Sequence, residues 1–239
     1  MAFGDLVQSK TENGNGSEDP VSLTLDSAPT AGNLLVFALF VGDGPVAPST
    51  AGLLEAVENH DSGQDDATAI YYRVVESGDG QSWAVDLASA DQYAAALWEV
   101  EGPFAASPLD QTGTNTPTDD ASTHQVTAGG ATSQSDEYVV AAFGHRTIAG
   151  DSNSVQASSY SDSFTERFEV HDSFGGAARK SVSVADKVLA ATGTPTTTAT
   201  YSAATGRSSG CLATFKKQAE GGGGGISIPV VQHHRQRNF

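Results

Sequence analysis

The chain has 239 residues, a formal charge of −17 from 29 acidic and 12 basic side chains, and one cysteine. That length can bury a core without metals or disulfides, and a lone Cys211 excludes an intrachain disulfide. The acidity repels nucleic acid, and neither an apolar run of roughly eighteen residues nor a basic, apolar leader is present, which argues against a membrane span and a cleaved signal at this N-terminus.

Short runs rich in Val, Ile, Tyr, Phe and Thr recur between Gly, Asp, Ser and Pro clusters, and helical periodicity is almost absent, so the chain reads as all-β. Val21–Leu25 alternates. Asn33–Val41 is apolar on both faces, as a central strand should be, with Leu35, Phe37 and Leu39 expected on one side and Val36 and Phe40 on the other. Ala69–Val75 and Tyr93–Val100 continue the series; Trp98 shares a face with Ala94, Ala96 and Val100, while Tyr93, Ala95 and Leu97 share the other, with Glu99 expected near the edge of that second face. Pro103 to Thr123 reads as a loop punctuated by Pro103, Pro108 and Pro117.

The second half repeats this order. Val21–Leu25 is matched by His124–Ala128, and Asn33–Phe40 by Asp136–Phe143, 103 residues on. His60-Asp61-Ser62 recurs as His171-Asp172-Ser173 at 111, and each is followed by a strand candidate, Ala69–Val75 and Ala178–Val184. Ala96–Glu99 aligns with Ala213–Lys216 at 117. An internal duplication follows, with pseudo-repeats at about 20–102 and 123–217 in a body of residues 1–220. Neither half alone has many large apolar side chains. One jelly-roll-like antiparallel β-sandwich of two sheets is therefore the expected fold, two small sandwiches being the alternative.

After the body come the glycines of residues 221–225 and a peptide, 226–239. Flexible Gly linkers of this length reach roughly 10–15 Å. The first 220 residues hold 10 Lys and Arg against 29 acids, hence −19, whereas the peptide has Arg235 and Arg237 and no acid, hence +2. Ile226, Ile228, Val230, Val231 and Phe239 are unusual company for a solvated tail, so the segment reads as a docking peptide in which His233, His234, Arg235 and Arg237 supply hydrogen bonds and charge.

Candidate chemistry is sparse. In His-Asp-Ser, consecutive residues diverge and cannot form a catalytic relay, and no nucleophile elbow, zinc-protease helix or phosphate loop occurs, so no enzyme activity is expected. Asp61, Asp65 and Asp66 are the candidate calcium ligands, although Phe174-Gly175-Gly176, the matching stretch of the second half, lacks acids, which favours a solvated loop. His233 and His234 alone make a weak metal site. Trp83 and Tyr72 are the aromatic residues available for a sugar platform if exposed. Cys211 lies in an alternating run and reads as a buried thiol.

Four stretches together resemble structural proteins of tailed viruses: Pro29–Val36, Ile70–Val74, Trp98–Gly102, and the glycine run with Ile226–Val231. Dispersed acids with only five lysines further resemble proteins of extreme halophiles and their viruses, so the nearest likeness is to tailed viruses of haloarchaea. The resemblance implies a non-enzymatic sandwich in multiple copies at the capsid surface, vertex or tail, made in the host cytoplasm and carried on the extracellular particle. Its implied partners are other virion proteins, copies of itself and a host-surface glycan or glycoprotein, with no nucleic acid, membrane or obligatory cofactor. A carbohydrate-binding module for host or matrix glycans is the other reading.

Overall fold

A computed structural model describes residues 1–219 except 17, 45, 64–65, 117, 148–154 and 172–178. Sixteen strands and no helix make up the regular structure of the described residues. The first half contributes β1 (Leu6–Asn15), β2 (Val21–Thr24), β3 (Leu34–Val41), β4 (Ala47–Pro48), β5 (Leu54–Asp61), β6 (Asp66–Val74), β7 (Ser82–Asp86) and β8 (Gln92–Val100). The second contributes β9 (Phe104–Thr114), β10 (Ala121–Thr127), β11 (Glu137–Arg146), β12 (Ala157–Tyr160), β13 (Thr165–His171), β14 (Lys180–Val188), β15 (Thr196–Thr205) and β16 (Arg207–Lys217). Each half forms a five-stranded and a three-stranded antiparallel sheet: β1-β8-β3-β6-β5 with β2-β7-β4, and β9-β16-β11-β14-β13 with β10-β15-β12.

The body is not one pair of sheets. Leu35, Phe37 and Leu39 pack with Val21, Leu23, Trp83 and Val85 between the two sheets of the first half, and Val139, Ala141 and Phe143 pack with Val126, Ala199 and Tyr201 in the second. A third core lies between the two five-stranded sheets, where Val36, Phe40, Ile70 and Trp98 meet Tyr138, Val140, Val184 and Phe215. The result is four layers of three, five, five and three strands. This explains why β3 is buried along its whole length: both its faces meet apolar sheets. Fully burying one large side chain contributes about 1.5–3 kcal/mol, so the shared central core dominates the association of the halves.

Within each sandwich the split is five and three, because β5 hydrogen-bonds to β6 and β13 to β14. The residues from Pro103 to Thr123, expected to be a loop, contain the edge strand β9 and the start of β10. β1 was equally silent in the sequence. Both are edge strands whose side chains are largely polar and half-exposed, held by backbone ladders to β8 and β16 rather than by an apolar stripe. Pro108 falls in a stretch where the β9–β16 register shifts, which spares a ladder donor.

Adding eight to each strand number of the first half gives the sheet order of the second. Finer features correspond too. Val75 N donates to Asn33 O and Leu189 N to Glu137 O, each at 2.9 Å, while Gly32 and Asp136, the preceding residues, both have positive φ. Val46 N donates to Glu58 and Ala157 N to Glu169, and β5 and β13 each carry a bulge, at Ala56 and Arg167. His60 and His171 fall at equivalent places on β5 and β13. These bonds pair Leu34 with Tyr138, one residue beyond the match suggested by sequence similarity, and through the ladders they pair Trp98 with Ala213 rather than Phe215. Across the central core β1 lies over β13, β8 over β14, β3 over β11, β6 over β16 and β5 over β9, an arrangement unchanged when the halves are exchanged. That is the geometry of an isologous dimer interface within one chain. At its middle Phe40 packs on Gly144, its own counterpart, where any Cβ would collide with the ring.

Candidate functional site

Where β11, β13 and β14 end against the N-terminal segment, a buried carboxylate organises a polar chain that crosses between the halves. Asp186 is 2% exposed on β14. A buried carboxylate is tolerable only when paired and hydrogen-bonded. The guanidinium of Arg167 supplies a two-pronged partner, Nε to Oδ2 at 2.7 Å and Nη2 to Oδ1 at 2.8 Å. Arg167 is the bulge residue of β13, where the register shifts and re-aims the side chain. The Tyr138 hydroxyl donates to Asp186 Oδ2 at 2.6 Å and accepts from Trp98 Nε1 of the first half at 3.1 Å. Burial, reinforced by the Asp186 charge, pushes the Tyr138 phenol well above its ordinary value, so it stays protonated as a donor. The hydrogen bonds that Arg167 donates to Asp186 likewise hold its guanidinium above its ordinary value.

Outside this chain opens a cleft of about 390 Å³, with Phe3, Asp5, Tyr138, Arg167, Asp186 and Lys187 in its wall. Lys187 is tethered, Nζ donating to Asp162 O at 2.8 Å and sitting 4.4 Å from the Phe164 ring centroid. Burial lowers its pKa somewhat. At the equivalent positions of the first half stand Leu34, Ala56 and Tyr72, and opposite them Ala213 replaces Trp98; Tyr72 instead packs in a tilted arrangement on Phe215 with centroids 5.1 Å apart. One of two matching places is apolar and the other polar.

The candidates read from sequence lie elsewhere. Asp61 forms an ion pair with Arg207, and Asp66 pairs with Lys180 at 3.0 Å and Arg146 at 3.5 Å, so both are committed to cations; Asp65 lies outside the described residues. Among the described residues no group of His, Cys, Asp and Glu is arranged to hold a metal. Trp83 is 2% and Tyr72 8% exposed, each ring sunk in a core, so neither is a sugar platform. Glu99, expected near an edge, is fully buried and bonded to Gln8, Thr30 N and Asn33. Of the second His-Asp-Ser, His171 bonds through Nδ1 to Ser181 Oγ at 2.9 Å, and Asp172 and Ser173 lie outside the described residues. Cys211 is buried, its thiol pushed up by desolvation and donating to Thr68 O at 3.1 Å.

The docking residues of 226–239, namely Ile226, Ile228, Val230, Val231, His233, His234, Arg235, Arg237 and Phe239, lie outside the described residues as well. The point of departure is described: Gln218 N donates to Pro103 O at 2.9 Å, and Lys217 Nζ lies 5.6 Å from the ring of Phe3, the residue that also walls the cleft.

The chain matches no family model, no curated protein and no solved structure at a significant level. The spacing of Tyr138, Arg167 and Asp186 carries no motif. Aligning the halves in their structural register would have exposed them as polar residues at positions where the other half is apolar.

Proposed function

We propose that the chain is a non-enzymatic structural protein of a virion, at its capsid surface, vertex or tail, whose sandwich body is displayed and whose residues 226–239 dock on a neighbouring subunit. The observation that carries this is the opposition of charge across one glycine spacer: −19 before it and +2 after it, on a peptide without acids, leaving from a fixed point beside Pro103 and Phe3. Copies of such a body repel each other, and a basic, apolar peptide offers each copy a complementary contact with the next. The exchangeable stacking of the two halves supports reading them as copies of one ancestral unit that associated in pairs, consistent with a protein that works in multiple copies. The other reading, a carbohydrate-binding module, loses Trp83 and Tyr72 as its platform.

Deleting residues 226–239 is expected to leave the circular dichroism and melting profile of the body unchanged while abolishing oligomerisation and incorporation into particles. A truncated chain that assembles at wild-type occupancy would overturn the docking reading.

A further inference from the structure

We propose that the cleft beside Phe3 is a carbohydrate site, taking a neutral mono- or disaccharide against the anchored guanidinium of Arg167. The first ground is the broken symmetry. Leu34, Ala56, Tyr72 and Ala213 fill the equivalent positions with apolar packing, whereas Tyr138, Arg167, Asp186 and Trp98 build a polar chain that ends at an open cleft. A relay that served only to hold the halves in register would not need a cavity at its end. At about 390 Å³ the cavity falls within the roughly 300–1,000 Å³ of small-molecule sites.

The chemistry of the wall selects the class of ligand. Asp5 and Asp186 are balanced by Arg167 and Lys187, so the lining has no net sign to favour an ion of either charge. Among the described residues Arg167 Nη1 has no hydrogen-bond acceptor, although Nε and Nη2 are locked on Asp186. A guanidinium held in one rotamer loses little entropy when it grips a ligand. Asp5 offers an acceptor, and the hydroxyls of Ser163 and Thr165 at the rim both donate and accept. A sugar ring, whose every hydroxyl also does both, fits that mixture better than a carboxylate or an amine. The Phe3 ring and the exposed Val188 side chain give the C–H face of such a ring an apolar surface. This site does not depend on the virion reading, since its evidence lies wholly in the folded body.

The test uses the full chain, titrated with glucose, galactose, N-acetylglucosamine, maltose, lactose and chitobiose, with sulfate and phosphate as anionic controls. Binding is followed by saturation-transfer NMR and by the change in tryptophan fluorescence in the wild type and in a Trp83→Phe background, in which Trp98, linked to the cleft through Tyr138, is the one remaining tryptophan. At least one saccharide is expected to saturate, with a Kd of about millimolar or tighter. Arg167→Met should weaken it about tenfold or more. Because that substitution strips a buried partner from Asp186 and can unfold the chain, Thr165→Trp is the second variant: it fills the cleft from the β13 rim, keeps the ion pair and should abolish binding at an unchanged melting temperature. Saturation by no saccharide, wild-type affinity in the Thr165→Trp variant, or saturation by the anions alone would each overturn the proposal.

Discussion

Replacing Ile70 by alanine tests the four-layer stack most directly. Ile70 is fully buried on β6 and points into the central core, away from the three-stranded sheet of its own half. Truncating a buried Ile to Ala costs about 2–5 kcal/mol, the larger values applying where the surroundings cannot collapse into the cavity. Two ladders of strands clamp this site from both sides, so the upper part of that range is expected. For a chain of this size each kcal/mol shifts the melting temperature by about 2–4 °C, which gives a fall of about 7–20 °C. The informative quantity is the shape of the transition. If the central core is shared, calorimetry should show one cooperative unfolding event in the wild type, and Ile70→Ala should lower it as a whole. Val126→Ala, made in the separate outer core of the second half, should lower the same single transition by a smaller amount. A variant of Ile70 whose thermogram splits in two, with the second half melting where it did before, would show that the five-stranded sheets do not hold each other.

Gly144→Val should destabilise by about 1–3 kcal/mol through overpacking, read as a lower urea midpoint at constant m-value, because the new side chain meets the Phe40 ring at the middle of the stack. Burial, with the nearby Asp110 charge, pushes the Glu137 carboxyl up from 4.5 to about 7. The folded state therefore keeps a proton that the unfolded chain has lost, and stability should fall as pH rises through that window and stay low above it. Glu169, pushed up to about 7 by its own burial, contributes a fall of the same sign, so Glu137→Gln should make the fall between pH 5 and pH 8 in urea unfolding smaller without abolishing it; equal falls in both proteins would refute the assignment. A formal charge of −17 repels itself most when screening is weak, so the melting temperature should climb from dilute buffer to molar NaCl or KCl, and a flat profile would remove the halophilic reading.

Where a strand alternates or is apolar throughout, as β2, β3, β8 and β11 are, its faces were legible because a period of two is local, whereas those of the largely polar β1, β9 and β15 were not. Leu35, Phe37 and Leu39 were placed opposite Val36 and Phe40, and Trp98 opposite Leu97, and the cores divide them in that way. Register between the two halves was only partly legible. The polar markers of His60-Asp61-Ser62 gave the same offset as the strands, as did the alternation of Val21–Leu25 with His124–Ala128, whereas Asn33–Phe40 against Asp136–Phe143 slipped by one residue. A run that is apolar on both faces contains no alternation to pin it, and a slip of one exchanges the two faces entirely. That slip also hid the site, since it aligned Tyr138 with Leu35 and left the contrast with Leu34, Ala56 and Tyr72 unseen.

The sequence by itself determined that this chain is built of antiparallel strands, that β3 is central, and that its charge is divided between an acidic body and a basic peptide. Each of these depends on neighbours a few residues apart or on composition. Only the tertiary structure decided which apolar face meets which, turning an expected pair of sheets into four layers, and only it brought Trp98, Tyr138, Arg167 and Asp186 into one hydrogen-bonded chain at the mouth of a cleft. Apolar burial is non-directional, so a strand's pattern states that a face will be covered without naming its cover. A polar contact between residues 40 and more positions apart, such as Trp98 with Tyr138, exists only after that choice is made.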